Sequence, residues 1–200
     1  MAHVRRLGGS REEYPAWRRW IRAIGAAREH YVARTGTDPV SVSEATTVGL
    51  MLSSAGSAGL IGLLEYPTEK KHRRKNDWCY GRCDLWLLAP RRHGDEEGWA
   101  FEIKHRRITS RSPRLWLLAP FREAWRDAGA LDVSEASMRL ACTIFYSERD
   151  IDPESVCAKT LDRLTQMSDW SWRISHDRHL PPFYIFLKHR RRGNRCAVAP

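Results

Sequence analysis

The chain lacks a disulfide framework. Its five cysteines, at 79, 83, 142, 157 and 196, are odd in number and scattered. This pattern fits a reducing compartment, and a cytoplasmic location is expected. No apolar run precedes Glu13, so the first residues do not read as a secretory signal. Ala45–Leu64 is uncharged over 20 residues, but it holds four Gly, three Ser and two Thr and is split by Ser53–Gly59. It reads as a buried helix, a turn and a buried strand rather than a membrane span, and no membrane partner is expected. Internal repeats and low-complexity segments are missing too, which excludes a repeat array.

Acidic residues are in deficit. Lys and Arg total 34 against 24 Asp and Glu, a formal net charge of +10 with His neutral. Such a chain is drawn to polyanions, nucleic acid first among them, although charge does not separate DNA from RNA. Apolar residues make up 42% and charged residues 29%, and nine are Trp, so a packed interior is expected. A length of 200 residues suits one domain.

Periodicity predicts an N-terminal helix over about 14–34, opened by Pro15, with Trp17, Trp20, Ile21 and Ile24 at helical spacing. A second helix, capped by Ser41 or Ser43, is expected to run to about Ala55. Strands follow at Leu60–Tyr66, stopped by Pro67, at Arg82–Leu88 and at Trp99–His105. The last two are expected to form an antiparallel hairpin across the polar turn Arg91–Gly98. A helix from Ser112–Pro113 to about Ala128, bent at Pro120, comes next. A strand at Met138–Tyr146, a helix at Pro153–Met167 and a strand at Phe183–Lys188 complete the order, before a basic tail over 189–200. The fold class is mixed α/β in a single domain, 1–200, with its core at about 41–146.

The chemistry concentrates in two strands. In Trp99–Lys104, alternation puts Trp99, Phe101 and Ile103 on one face and Ala100, Glu102 and Lys104 on the other. Asp84 interrupts the apolar run Cys83–Leu88. A hairpin symmetric about residues 93 and 94, adjusted by one residue, sets Asp84 opposite Glu102 or Lys104 on their face. Two carboxylates converging beside one ammonium suit phosphodiester hydrolysis. Hard divalent cations take oxygen ligands, and a lysine can position water or stabilise the transition state.

Asp84, seventeen residues, then Glu102–Ile103–Lys104 resembles the PD-(D/E)XK nucleases, the restriction-endonuclease-like superfamily. The resemblance covers about Ser41 to Tyr146. It implies a central mixed sheet in α-β-β-β-α-β order flanked by helices. It further implies Mg²⁺ or Mn²⁺ held by Asp84, Glu102 and the Ile103 carbonyl, with Lys104 on the attacking water. An additional acid is expected from Glu44, with Glu65 as competitor. Two departures stand: Cys83 replaces the proline before the acid, and the helix after the third strand lacks the Gln and Tyr pattern of the exonuclease-like branch.

The activity expected is therefore metal-dependent, endonucleolytic cutting of DNA. The rivals are a non-catalytic nucleic-acid-binding protein of the same fold, and a subunit of a defence or mobile-element complex that cuts only with its partner. RNA as substrate and a homodimeric state stay open. The run Lys70, Lys71, His72, Arg73, Arg74 and Lys75, read as an exposed loop, is expected to contact phosphates, together with His105, Arg106 and Arg107. Cys79 and Cys83 with His72 or His93 form a weak zinc pattern, as do His176 and His179. Trp78 and Trp172 are the two candidates for base stacking.

Overall fold

Local signals set the element ends before packing acts. Pro15 opens α1 (Pro15–Thr35), which ends at Gly36 with φ of 72°. Asp38 caps α2 (Pro39–Val42) by accepting from the Val40 N–H, and Ser43 caps α3 (Glu44–Ser57) by accepting from the Thr46 N–H. Asp152 caps α5 (Pro153–Met167) through the Glu154 N–H. In α4 (Arg114–Ala128) Pro120 is accommodated inside the helix. The structure, a computed structural model, describes residues 2–11, 14–71, 77–90, 96–112, 114–132, 134, 136–176 and 180–190.

The remaining elements are β1 (Ala2–Gly8), β2 (Ile61–Lys71), β3 (Trp78–Pro90), β4 (Glu96–Ile108), β5 (Met138–Ser147), β6 (Trp170–His176) and β7 (Phe183–His189). They form a seven-stranded sheet in the order β1-β6-β7-β5-β4-β3-β2. The β4–β5 pairing is parallel and the others are antiparallel. From α3 to β5 the chain runs α-β-β-β-α-β, the order expected.

One sheet face packs on α1 and α3. Trp17, Trp20, Ile24 and Met51 meet Leu85, Leu87, Phe101 and Ile103, and the Trp17 and Trp99 rings stack at 4.0 Å. The other face carries α4 and α5, with Leu117, Phe121 and Leu164 against Phe145, Tyr184 and Phe186. Each such side chain taken out of water contributes roughly 1.5–3 kcal/mol. β5 is covered on both faces, so its sequence is apolar almost throughout rather than alternating.

Several expectations need correction. β1 and β6 were not anticipated. β1 is a short edge strand rich in Arg, and β6 hides its period-2 signal, Trp170–Trp172–Ile174, directly behind a helix. β2 does not stop at Pro67 but continues through it to Lys71, since an outer strand tolerates a missing N–H. Lys70 and Lys71 therefore belong to a strand, not a loop. Nor is β2 a buried strand: Ile61, Leu63 and Leu64 are 64%, 49% and 42% exposed. Trp172 is fully buried in the core and offers no stacking face. His72, Arg73, Arg74, Lys75, His93, His179, the tail from 191 and the Trp78 side chain lie outside the described residues. Among the described residues no helix is long and apolar enough to cross a membrane.

Candidate active site

The hairpin ladder between β3 and β4 runs from Pro90↔Glu96 to Leu85↔Phe101 and stops there. Beyond that point β3 continues beside β2, and β4 continues beside β5 as far as Ile108. The two strands fork, and the fork falls at Asp84 and Glu102, one register step past the last pair.

Its local cause lies in the outer strands. Leu85 sits in the main core, whereas Cys83, two residues earlier, packs with Ala100 and Leu131 on the opposite side of the sheet. Strand alternation therefore breaks at Asp84. Glu65, on β2, has φ of +44° and is the one non-glycine residue at positive φ among the described residues. The far end of β2 is also tied elsewhere. The Lys71 N–H donates to the Ala130 carbonyl at 2.8 Å, and the Asp132 N–H donates to Glu69 at 3.0 Å.

A fork leaves backbone groups on the freed edge of β4, and these need partners. The Ile103 N–H donates to Asp84 Oδ2 at 2.6 Å, and the His105 N–H donates to Glu44 Oε2 at 2.9 Å. Both edge amides are thus taken by carboxylates, one from β3 and one from the start of α3. In an extended strand the N–H and C=O of a residue point the same way, so the Ile103 carbonyl also opens toward the slot.

Glu102 is buried, with 3% exposure, and Lys70 Nζ on β2 reaches its Oε1 at 2.6 Å. Lys104 Nζ lies 3.3 Å from Asp127 Oδ2 in the last turn of α4. Burial, then the neighbouring Asp84 charge, push the Glu102 carboxyl up to about 7 despite Lys70. Burial also raises Asp84, against the pull of the Ile103 N–H and of Lys104 and Lys70. Glu44 is raised by burial too, with Lys104 opposing and Asp84 adding to the shift. For Lys104 burial favours the neutral amine, but Asp127 and Asp84 outweigh it and hold the ammonium above its ordinary value.

Asp84 thus has Glu102, Lys104 and Glu44 as neighbouring charges in the slot at the fork, whereas Glu65 does not join them. It is exposed on β2 and pairs with Arg82 at 2.5 Å. Asp127 and the Lys70–Glu102 pair escaped the sequence. Asp127 gave no signal, and Lys70 would have needed β2 to be followed through Pro67.

The slot suits a hard divalent cation in its chemistry. A buried carboxylate poised near neutrality stands beside a second carboxylate and a backbone carbonyl, all oxygen donors. The set is two side chains and one carbonyl. Among the described residues no group of three His, Cys, Asp or Glu side chains is placed to share an ion.

The basic candidates divide. Lys71 is exposed. His105 stacks on Tyr146 at 4.5 Å, and burial holds its pKa down to about 4, so it is neutral at pH 7. Arg106 lies over the Trp116 ring at 4.7 Å, and Arg107 is exposed and pairs with Glu148 at 2.9 Å. No protein-family model, curated protein or solved structure matches this chain.

Proposed function

We propose that this protein is a divalent-metal-dependent endonuclease that hydrolyses DNA phosphodiester bonds, built on the plan of the PD-(D/E)XK superfamily. The observation that carries the reading is the fork, which gathers Asp84, Glu102 and the Ile103 carbonyl at one open edge with Lys104 two residues on. The α-β-β-β-α-β order around it supports the same reading.

Asp84, Glu102 and the Ile103 carbonyl would hold Mg²⁺ or Mn²⁺. When bound, such an ion lowers the pKa of water and offsets charge on the phosphate. The protein's own residues do the rest. Asp127 keeps Lys104 charged and fixes its position, so that its N–H groups can orient the attacking water or meet charge developing on the phosphoryl oxygens. Glu44 pins the β4 edge through the His105 N–H, which holds the Ile103 carbonyl in place. Lys70 neutralises Glu102 in the metal-free protein.

The test is the opening of closed circular plasmid with Mg²⁺ or Mn²⁺ by the wild type, Asp84→Ala and Lys104→Ala. Lys104→Ala should lower the rate by about 10² or more, a size typical for loss of a transition-state donor, and Asp84→Ala, which removes a metal ligand, should lower it at least as much. DNA affinity measured without metal should change little. Equal behaviour of all three proteins would overturn the enzyme and leave a non-catalytic nucleic-acid-binding protein.

A further inference from the structure

Beyond the fork, β4 continues to Ile108 and turns through Thr109–Ser112 into α4. A cleft of about 440 Å³ opens there, lined among others by Arg106, Arg107, Arg111, Ser112, Trp116 and Tyr146. Its size is within the range of small-molecule sites, roughly 300–1,000 Å³.

The charge in it is of one sign. Three Arg side chains contribute to the wall, and no Asp or Glu among the described residues does. Glu148 pairs with Arg107, but both side chains are more than half exposed, at 53% and 54%, so that pair is screened and weak. Arg106 is held by stacking on Trp116 rather than by a carboxylate, and its Nε is buried without a hydrogen-bond partner among the described residues. Such a donor is costly to leave unpaired. The turn beneath is fixed: the Thr109 N–H donates to Ser112 Oγ at 2.8 Å, and the two hydroxyls lie 3.1 Å apart. Three guanidiniums and two hydroxyls lining one cleft, with no carboxylate among its described lining residues, suit a multivalent oxyanion. Guanidinium forks match phosphate best.

We propose that this cleft is a phosphate-binding subsite that seats a backbone phosphate of the nucleic acid next to the one cut at Asp84 and Glu102. Placing that phosphate beside the scissile one rests on the nuclease reading. Arg106 follows Lys104 by two residues on the same strand, roughly 6.6 Å at ordinary strand rise, so a chain lying along β4 meets the lysine and then the cleft. The subsite holds substrate in register and reads no bases.

The probe is inorganic phosphate, titrated calorimetrically into metal-free full-length protein at low salt. Arg22→Gln, an exposed cation on α1, serves as the charge-matched control. Arg111→Gln and Arg106→Gln should each weaken phosphate binding about tenfold, the size of one lost charge-assisted hydrogen bond, while Arg22→Gln leaves it unchanged. Equal effects of all three, or no phosphate binding by the wild type, would overturn the subsite. A second arm compares a short single-stranded oligonucleotide with phosphate. If the oligonucleotide does not compete with phosphate, the cleft takes the free anion and the backbone assignment fails. None of these readouts needs cutting, so an inactive enzyme with an intact phosphate isotherm would sink the nuclease reading alone.

Discussion

Glu102 concentrates the tension of the site at a single residue. An ordinary glutamate titrates at 4.5, and burial beside Asp84 moves this one to about 7. The folded state binds its proton more tightly than the unfolded chain. The contribution to stability is therefore fully present below 4.5 and is lost as pH rises through 7. Glu102→Gln carries no charge at any pH. Its melting temperature relative to the wild type, in metal-free buffer, should rise between pH 5 and pH 8. A gap that stays constant across this window would show that burial does not strain the carboxylate. At this scale the sequence was readable where a charge interrupts an apolar strand, as at Asp84 and Glu102, because unpaired charge in such a place is costly. It set Lys70 in a loop as a phosphate contact, where the structure pairs it with Glu102, and it was silent on Asp127. Their partners lie 32 and 23 residues away and meet them only after β2 and α4 have packed.

The elements show where pattern misleads. β2 reads as a buried strand because Ile61, Leu63 and Leu64 are apolar, yet it is the outer strand of the sheet and all three are substantially exposed. Composition does not tell an outer strand from an inner one. Leu87, on the neighbouring β3, has 0% exposure. Leu87→Ala should cost about 2–5 kcal/mol, the usual cost of a core cavity. Leu63→Thr should change stability by less than about 0.5 kcal/mol, as for a surface position. Urea denaturation of both variants decides it, and comparable losses would show that the outer strand is covered in solution. The helices were better anticipated, because Pro15, Ser43 and Pro153 mark their starts by local hydrogen-bond and dihedral chemistry that needs no tertiary partner.

Across the whole molecule the excess of ten positive charges should dominate DNA affinity. Counterion release makes log K fall linearly with log salt, by about 0.9 for each phosphate neutralised. Measured on one duplex at several NaCl concentrations, that slope should drop by about 1 in Arg111→Gln and stay unchanged in Leu63→Thr. A flat response to salt would remove the phosphate backbone as the main contact. Composition and periodicity by themselves determined the mixed α/β class, the basic character, the helix starts and the pairing of β3 with β4, because each follows from neighbours a few residues apart or from a hairpin's own symmetry. Only the tertiary structure decided that β3 and β4 part at Asp84, that Glu44 reaches the freed edge at His105, and that Lys70 and Asp127 close the charge network. The physical reason is that backbone groups stranded at a fork must find partners wherever the packed chain brings polar atoms within reach, and no local rule names them.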